Sequence, residues 1–316
     1  MRYGHENHLI GRQIERAIPA RRLAQSAIAA LALLYVCLTT TARADEKLAS
    51  QKPAPVRIGA VASSPATVTV FTDLCRYLSR VGLPADFVLY SNYDMLVAAL
   101  GRGEVDIAWN TPLAHAQFHV AKKRHSQTLA MRDVDCNFRS VLVARKDAGI
   151  GKLSDLAGKS LVLGSEEAAE ATVLPRHFLQ QAGVDLKKVK LVSLDQKLDL
   201  RGNPCSSEVH VLKALLEGQG QAGIVGERLW QSISQRGGKE AEQLTAVWTT
   251  PAFSHCVFTA AADFNSDRAA RFSEQMLAMD RNDPQTRQVM ELEGTKKWVA
   301  GSQAGFESLV EAIEAR

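Results

Sequence analysis

From Val56 to Ala260 short apolar runs alternate with amphipathic stretches, and no other feature restricts the fold as much. The apolar runs read as strands at 56–61, 87–90, 105–109, 128–132, 138–144, 160–163, 189–194, 221–225, 244–249 and 256–260. Helical patterns fall between most of them, at 67–80, 93–100, 112–123 and 209–217, the last ended by Gly218. Runs this short and this continuously apolar suit strands covered on both faces, and the intervening helices supply the covers. The expected class is therefore α/β, with mostly parallel sheets flanked by helices. Beyond about Asp263 the pattern reads as helical to the end. Ligands of open α/β sheets bind beyond the carboxyl ends of strands. That rule singles out Ser63 and Ser64, Asn110 and Thr111, Asp133, Glu166 and Glu167, and Glu227.

Ahead of this region, residues 1–44 have the order of a secretory signal peptide. A basic segment with Arg12, Arg16, Arg21 and Arg22 leads into the uncharged run LAQSAIAALALLYVCLTT and then Ala42-Arg43-Ala44, an A-x-A cleavage signal. The apolar run is on the short side of the ~20 residues that span a bilayer. The expectation is export to a periplasm, removal of 1–44, and a Pro-containing linker at 45–55. The leader holds six of the 38 basic and two of the 34 acidic residues, leaving 32 of each. With no net charge left, a nucleic-acid partner has no support. Four cysteines remain: Cys75, Cys136, Cys205 and Cys256. An even count suits disulfides in an oxidising compartment. The connection DQKLDLRGNPCSSE is longer than a tight strand–helix turn needs, so a bridge from Cys205 to Cys136 or Cys256 is expected, with Cys75 a buried free thiol.

Catalytic chemistry finds no footing. His115 and His119 stand four apart on a predicted helix, but the intervening Ala116-Gln117-Phe118 lacks the glutamate of a zinc-protease helix. Surface or packing roles are expected for both. There is no nucleophile elbow, Walker loop, dinucleotide glycine fingerprint or C-x-x-C pair. No catalytic residue and no cofactor is expected, the only bound ion considered being a metal taken as ligand.

Three stretches carry a family resemblance: SNYDMLVAALGRGEVDIAWNTPLAHAQ, FRSVLVARKDAGIGKLSDLAGKSLVLG and LPRHFLQQAGVDLKKVKLVSL. In order and spacing they resemble the phosphate- and phosphonate-type periplasmic substrate-binding proteins of ABC transporters, over roughly 56–310. The resemblance implies a two-lobed binding-protein fold with the ligand in the cleft, acting as a monomer that delivers its solute to a membrane ABC permease. Lobe 1 would be 56–137 with 257–316 returning to it, and lobe 2 would be 138–256. The crossings would lie near 137–139 and 255–256. Tyr93 matches a tyrosine that lines the family's cleft. Asn110, Thr111, Ser63 and Ser64 fall where the family places ligand contacts.

The second lobe departs from that pattern. Where the family carries a Ser-Thr-Ser-Gly run that grips the phosphonate, this chain has Ala168, Ala169, Glu170 and Ala171. Glu166, Glu167, Glu208, Glu227 and Asp133 are expected around the same space. Glutamates in a first helical turn favour the helix dipole by ~0.3–1 kcal/mol each, which by itself accounts for Glu166 and Glu167. Glu170 lies beyond that turn. Two like charges ~4 Å apart at an effective dielectric of ~20 repel by about 4 kcal/mol, so a phosphonate dianion among ionised carboxylates is disfavoured. The expected ligand is accordingly a cationic solute or a hard metal ion held by Glu166, Glu167 and Glu170. The alternatives are an anion binder of the phosphate/phosphonate type, or a sensor or accessory module that no longer transports.

Overall fold

The computed structural model describes residues 54–194 and 207–315. The chain enters through β1 (Val56–Val61), α1 (Pro65–Arg80), β2 (Ala85–Tyr90), α2 (Tyr93–Arg102), β3 (Ile107–Asn110), α3 (Pro112–Ala121), β4 (Ser126–Thr128) and β5 (Ala130–Arg132). Each helix here starts on a local signal. Pro65 and Pro112 occupy first-turn positions, where a missing N–H costs nothing. Asn92 accepts from the Met95 N–H and Thr111 from the Ala114 N–H, satisfying donors that have no partner inside the helix. Gly103, at φ 70°, ends α2 in the left-handed region that a side chain would resist.

The chain then passes through β6 (Ser140–Arg145), β7 (Ser160–Leu163), a π-helical turn at Ala169–Val173, α4 (Leu174–Gln181) and β8 (Lys190–Ser193). It continues through α5 (Ser207–Leu216), β9 (Ala222–Gly226), α6 (Glu227–Arg236), α7 (Lys239–Gln243) and β10 (Leu244–Thr249). It returns through β11 (Val257–Ala261) and closes with α8 (Ser266–Leu277), α9 (Pro284–Leu292), β12 (Trp298–Ala300) and α10 (Glu307–Glu314).

The strands form two five-stranded sheets, ordered β2-β1-β3-β11-β4 and β10-β6-β9-β7-β8. Each is mixed. β1 runs parallel to β2 and β3, and β7 parallel to β8 and β9. β11, entering the first sheet from the other, runs antiparallel to β3 and β4, and β6 runs antiparallel to β9 and β10. The single strand expected over 128–132 is two: β4 pairs with β11, while β5 turns away to pair with β12. β12 itself corrects the reading of the C-terminal part as wholly helical.

Alternation along β6 shows why its sequence is apolar throughout. Leu142 and Ala144 pack with Leu161, Leu163, Leu179 and Ile224 on one face, and Val141 and Val143 with Val162, Val211, Leu215 and Val225 on the other. A third cluster joins elements of both sheets: Leu113 and Ala116 of α3, Ala169 and Val173 of the π turn, Leu174 and Phe178 of α4, and Leu309 and Val310 of α10. Phe253 and Phe138 complete it, and their backbones pair across the two crossing segments. Among the described residues no helix is long and apolar enough to cross a membrane.

Candidate functional site

The π turn is where the local sequence sets up the chemistry. Pro175, at the start of α4, has no N–H to return to the preceding turn. The Glu170 carbonyl that loses this donor finds another in Ser140 Oγ at 2.6 Å, and beside it the Gly164 N–H donates to the Ala171 carbonyl at 3.2 Å. Widened turns of this kind recur at functional sites. This one holds Glu170 beside the returning crossing, with its Oε2 3.6 Å from His255 Nε2.

His255 joins a chain of charged groups that runs from Arg132 on β5 to Glu170 on the π turn. Its Nδ1 is 3.2 Å from Asp135 Oδ1. Asp135 is 1% exposed, and both its oxygens accept from Arg132, at 2.6 and 2.9 Å. Arg132 also donates to the carbonyl and carboxylate of Glu293 and lies 5.4 Å from the Trp109 ring centre. The His255 ring stacks on Phe138 at 4.8 Å, and its N–H on the main chain donates to the Asp135 carbonyl. Burial would lower the imidazole pKa, but Cys256, Asp135 and Glu170 around it hold it well above the usual value. Burial would raise the Glu170 carboxyl, and the His255 ring more than offsets this, keeping it below the carboxylate range. The Glu170 charge is therefore paired inside the protein.

Glu208, in the first turn of α5, is close enough to feel the charge of Glu170. Burial, with the Glu170 charge second, pushes its carboxyl up to about 7. Its Oε1 is buried with no hydrogen-bond partner. Two further groups share that condition nearby: Thr172 Oγ1, on the π turn, and both amide atoms of Asn110, which is 1% exposed. Asn110 ends β3 opposite Val257, two residues beyond His255. Buried polar atoms without partners are rare in native structures and mark places where something else completes the bonding. Tyr93, at the start of α2, has a phenol raised by burial and feels the charges of Cys256, His255, Glu293 and Arg132.

The structure thus brings Tyr93, Asn110, Glu170 and Glu208 toward one region around His255. Ser63 and Ser64 sit at the start of α1, bonded to Thr67 Oγ1, and Thr111 caps α3. Asp133 accepts from Thr295 Oγ1 and the Lys296 N–H, which hold its carboxyl below the usual range against the effect of burial. Glu227 opens α6, its N–H donating to the Arg139 carbonyl.

The proposed metal trio does not assemble. Glu166 and Glu167 are exposed on the turn before the π helix, and only Glu170 of the three is drawn inward. The expected disulfide is also unsupported: Cys136 and Cys256 are free thiols, and Cys205 lies outside the described residues. His115 proves to be a packing residue, wholly buried with its nitrogens near Thr259 Oγ1 and Gln303 Oε1, while His119 bonds Ser126.

Sequence reasoning missed Asp135, Arg132 and His255 as partners. The available signal was a titratable residue at each crossing, Asp135 on the way out and His255 on the way back. Two surface depressions lie elsewhere, one lined by Arg145, Asp147 and Gly218, the other by Val209, Leu229 and Ile233.

Comparison with known proteins gives a consistent result. The family model described as "ABC transporter, phosphonate, periplasmic substrate-binding protein" matches residues 58–306. The probable ABC transporter phosphite binding protein PhnD1 of Prochlorococcus marinus (strain MIT 9301) is 22% identical over 242 residues, 73% of this chain and 78% of that one. The structure of that PhnD1 in complex with methylphosphonate is similar with a TM-score of 0.61 at 20% identity, covering 82% of this chain and 97% of the other. XAC2383 from Xanthomonas citri, bound to ATP, shares the fold at a TM-score of 0.61 and 15% identity, with the same coverage. The two-lobed α/β fold follows, and the chain belongs to the periplasmic substrate-binding proteins of phosphonate-type ABC transporters.

Proposed function

We propose that the protein binds a small oxyanion of the phosphonate class between its two sheets and delivers it to an ABC permease. The observation that carries this reading is the internal pairing of Glu170 with His255. The charge argument for a cationic ligand required Glu170 to be unpaired and Glu166 and Glu167 to face the same space. With Glu166 and Glu167 exposed, Asp135 held by Arg132, and Glu208 raised toward neutrality, the region carries no uncompensated block of negative charge. A cationic solute or hard metal ion as cargo is therefore set aside.

Hydrogen-bond donors for an oxyanion are at hand despite the loss of the family's hydroxyl run. The Asn110 amide and Thr172 Oγ1 are buried without partners, and Glu208, when protonated, offers an O–H. The similar PhnD1 of Prochlorococcus marinus, named a probable phosphite binding protein and solved with methylphosphonate, supports the same class. This reading also takes 56–137 with 257–316 and 138–256 as the two lobes of a monomer, and residues 1–44 as a cleaved leader.

Equilibrium binding of methylphosphonate to the protein and to Asn110→Ala tests it. Losing a buried amide donor to an anion is expected to weaken binding by about 10-fold or more, on the order of 1.5–3 kcal/mol. Equal affinity in the two proteins would remove Asn110 from the site.

A further inference from the structure

We propose that Asp135, His255 and Cys256 form a binding site for a single divalent transition ion of the zinc class. Their donor atoms, one carboxylate oxygen, one imidazole nitrogen and one sulfur, all lie within 4.8 Å of one another, the single such group of three among the described residues. His255 Nδ1 is 3.2 Å from Asp135 Oδ1 and 3.2 Å from Cys256 Sγ. In a tetrahedral zinc site, arms of about 2.0–2.3 Å put ligand atoms about 3.4–3.6 Å apart. An ion can therefore enter with small side-chain movements. The His255 N–H bonded to the Asp135 carbonyl already fixes the two crossing segments against each other.

The surroundings are those a metal-bound imidazole needs. With Nδ1 on the ion, Nε2–H faces Glu170 Oε2 at 3.6 Å, and an outer carboxylate of this kind fixes the tautomer and orients the ring. Arg132 bonds both Asp135 oxygens, and each oxygen keeps a second lone pair. Binding takes Cys256 as a thiolate and displaces the Nδ1 proton of His255, so the ion's charge takes the place of the imidazolium's beside Glu170. A thiolate, an imidazole and one carboxylate select a zinc-class ion over calcium or magnesium, which prefer oxygen alone. Three protein ligands leave a fourth position for water or an oxygen of the solute. The His255 side chain is partly exposed, and Cys256 beside it is largely buried.

The test uses protein recovered from the periplasm without a histidine tag, stripped with chelator and titrated with Co²⁺ and Zn²⁺. One ion per chain is expected, with a thiolate-to-cobalt charge-transfer band that Cys256→Ser abolishes and Cys136→Ser leaves intact. Glu170→Gln is expected to keep the band and weaken the ion by about 10–100-fold. Mapping of thiol alkylation in the unmodified protein provides a measurement independent of any variant's folding, with Zn²⁺ protecting Cys256 and not Cys136. No binding of either ion, a band that persists in Cys256→Ser, or equal alkylation of Cys256 with and without Zn²⁺ overturns the proposal. Methylphosphonate binding by the stripped protein is read separately, so the solute reading and the metal site fail independently.

Discussion

The Glu208 carboxyl, pushed up to about 7 by burial and by the charge of Glu170, ties stability to pH. An unfolded glutamate titrates near ~4.3. Between that value and about 7 the folded protein holds a proton that the unfolded chain releases, so stability falls as pH rises through this window and stays lower above it. The contribution is on the order of 3 kcal/mol, fully present below the unfolded pKa. Urea unfolding from pH 4.5 to 8 should show that decline, and Glu208→Gln should flatten it; an unchanged slope in the variant would clear Glu208 of the effect. Of the residues gathered around His255, sequence offered Asn110 as a candidate from a strand end, Tyr93 from a family match, Glu170 from a departure in a family motif and Glu208 from a helix start. Glu166 and Glu167 carry the same side chain but stay exposed on the turn before the π helix. His255 was hidden because its role depends on Asp135, 120 residues away, and only the pairing of the two crossings brings them together.

Among the elements, the π turn depends on one side chain outside it. Ser140 is fully buried, and its hydroxyl serves the Glu170 carbonyl that Pro175 leaves without a donor. Ser140→Ala should cost about 1–3 kcal/mol by stranding that carbonyl. It should also release Glu170 from His255, measurable as a downward shift of the imidazole titration by NMR. A loss of stability with an unmoved imidazole would separate the turn from the ion pair. The strands were readable where apolar runs reach four or more residues, as in β1, β6 and β7. β12 was not, since the three residues Trp298–Ala300 carry no usable periodicity and pair only with β5, and the break that parts β4 from β5 within 128–132 was missed as well. The mixed pairing escaped for a related reason: strand direction depends on which sheet a returning segment joins, as with β11.

For the whole molecule, the α10 helix is the part that joins what the two sheets hold apart. Leu309 is 1% exposed among residues of α3, the π turn and α4. Leu309→Ala should lower stability by about 2–5 kcal/mol, read from the denaturation midpoint. The alternation of strand and helix, together with three spaced motifs, made the two-lobed architecture legible from sequence. The charge proposed here for the cargo was not, because counting carboxylates ignores which of them the fold pairs. Calorimetric titration of ligand-stripped protein near pH 7, with methylphosphonate in one cell and arginine or Ca²⁺ in others, addresses that point most directly. The account predicts one-to-one binding of methylphosphonate at micromolar or tighter affinity and none of arginine or Ca²⁺. Saturable binding of arginine or Ca²⁺ with no response to methylphosphonate would contradict it.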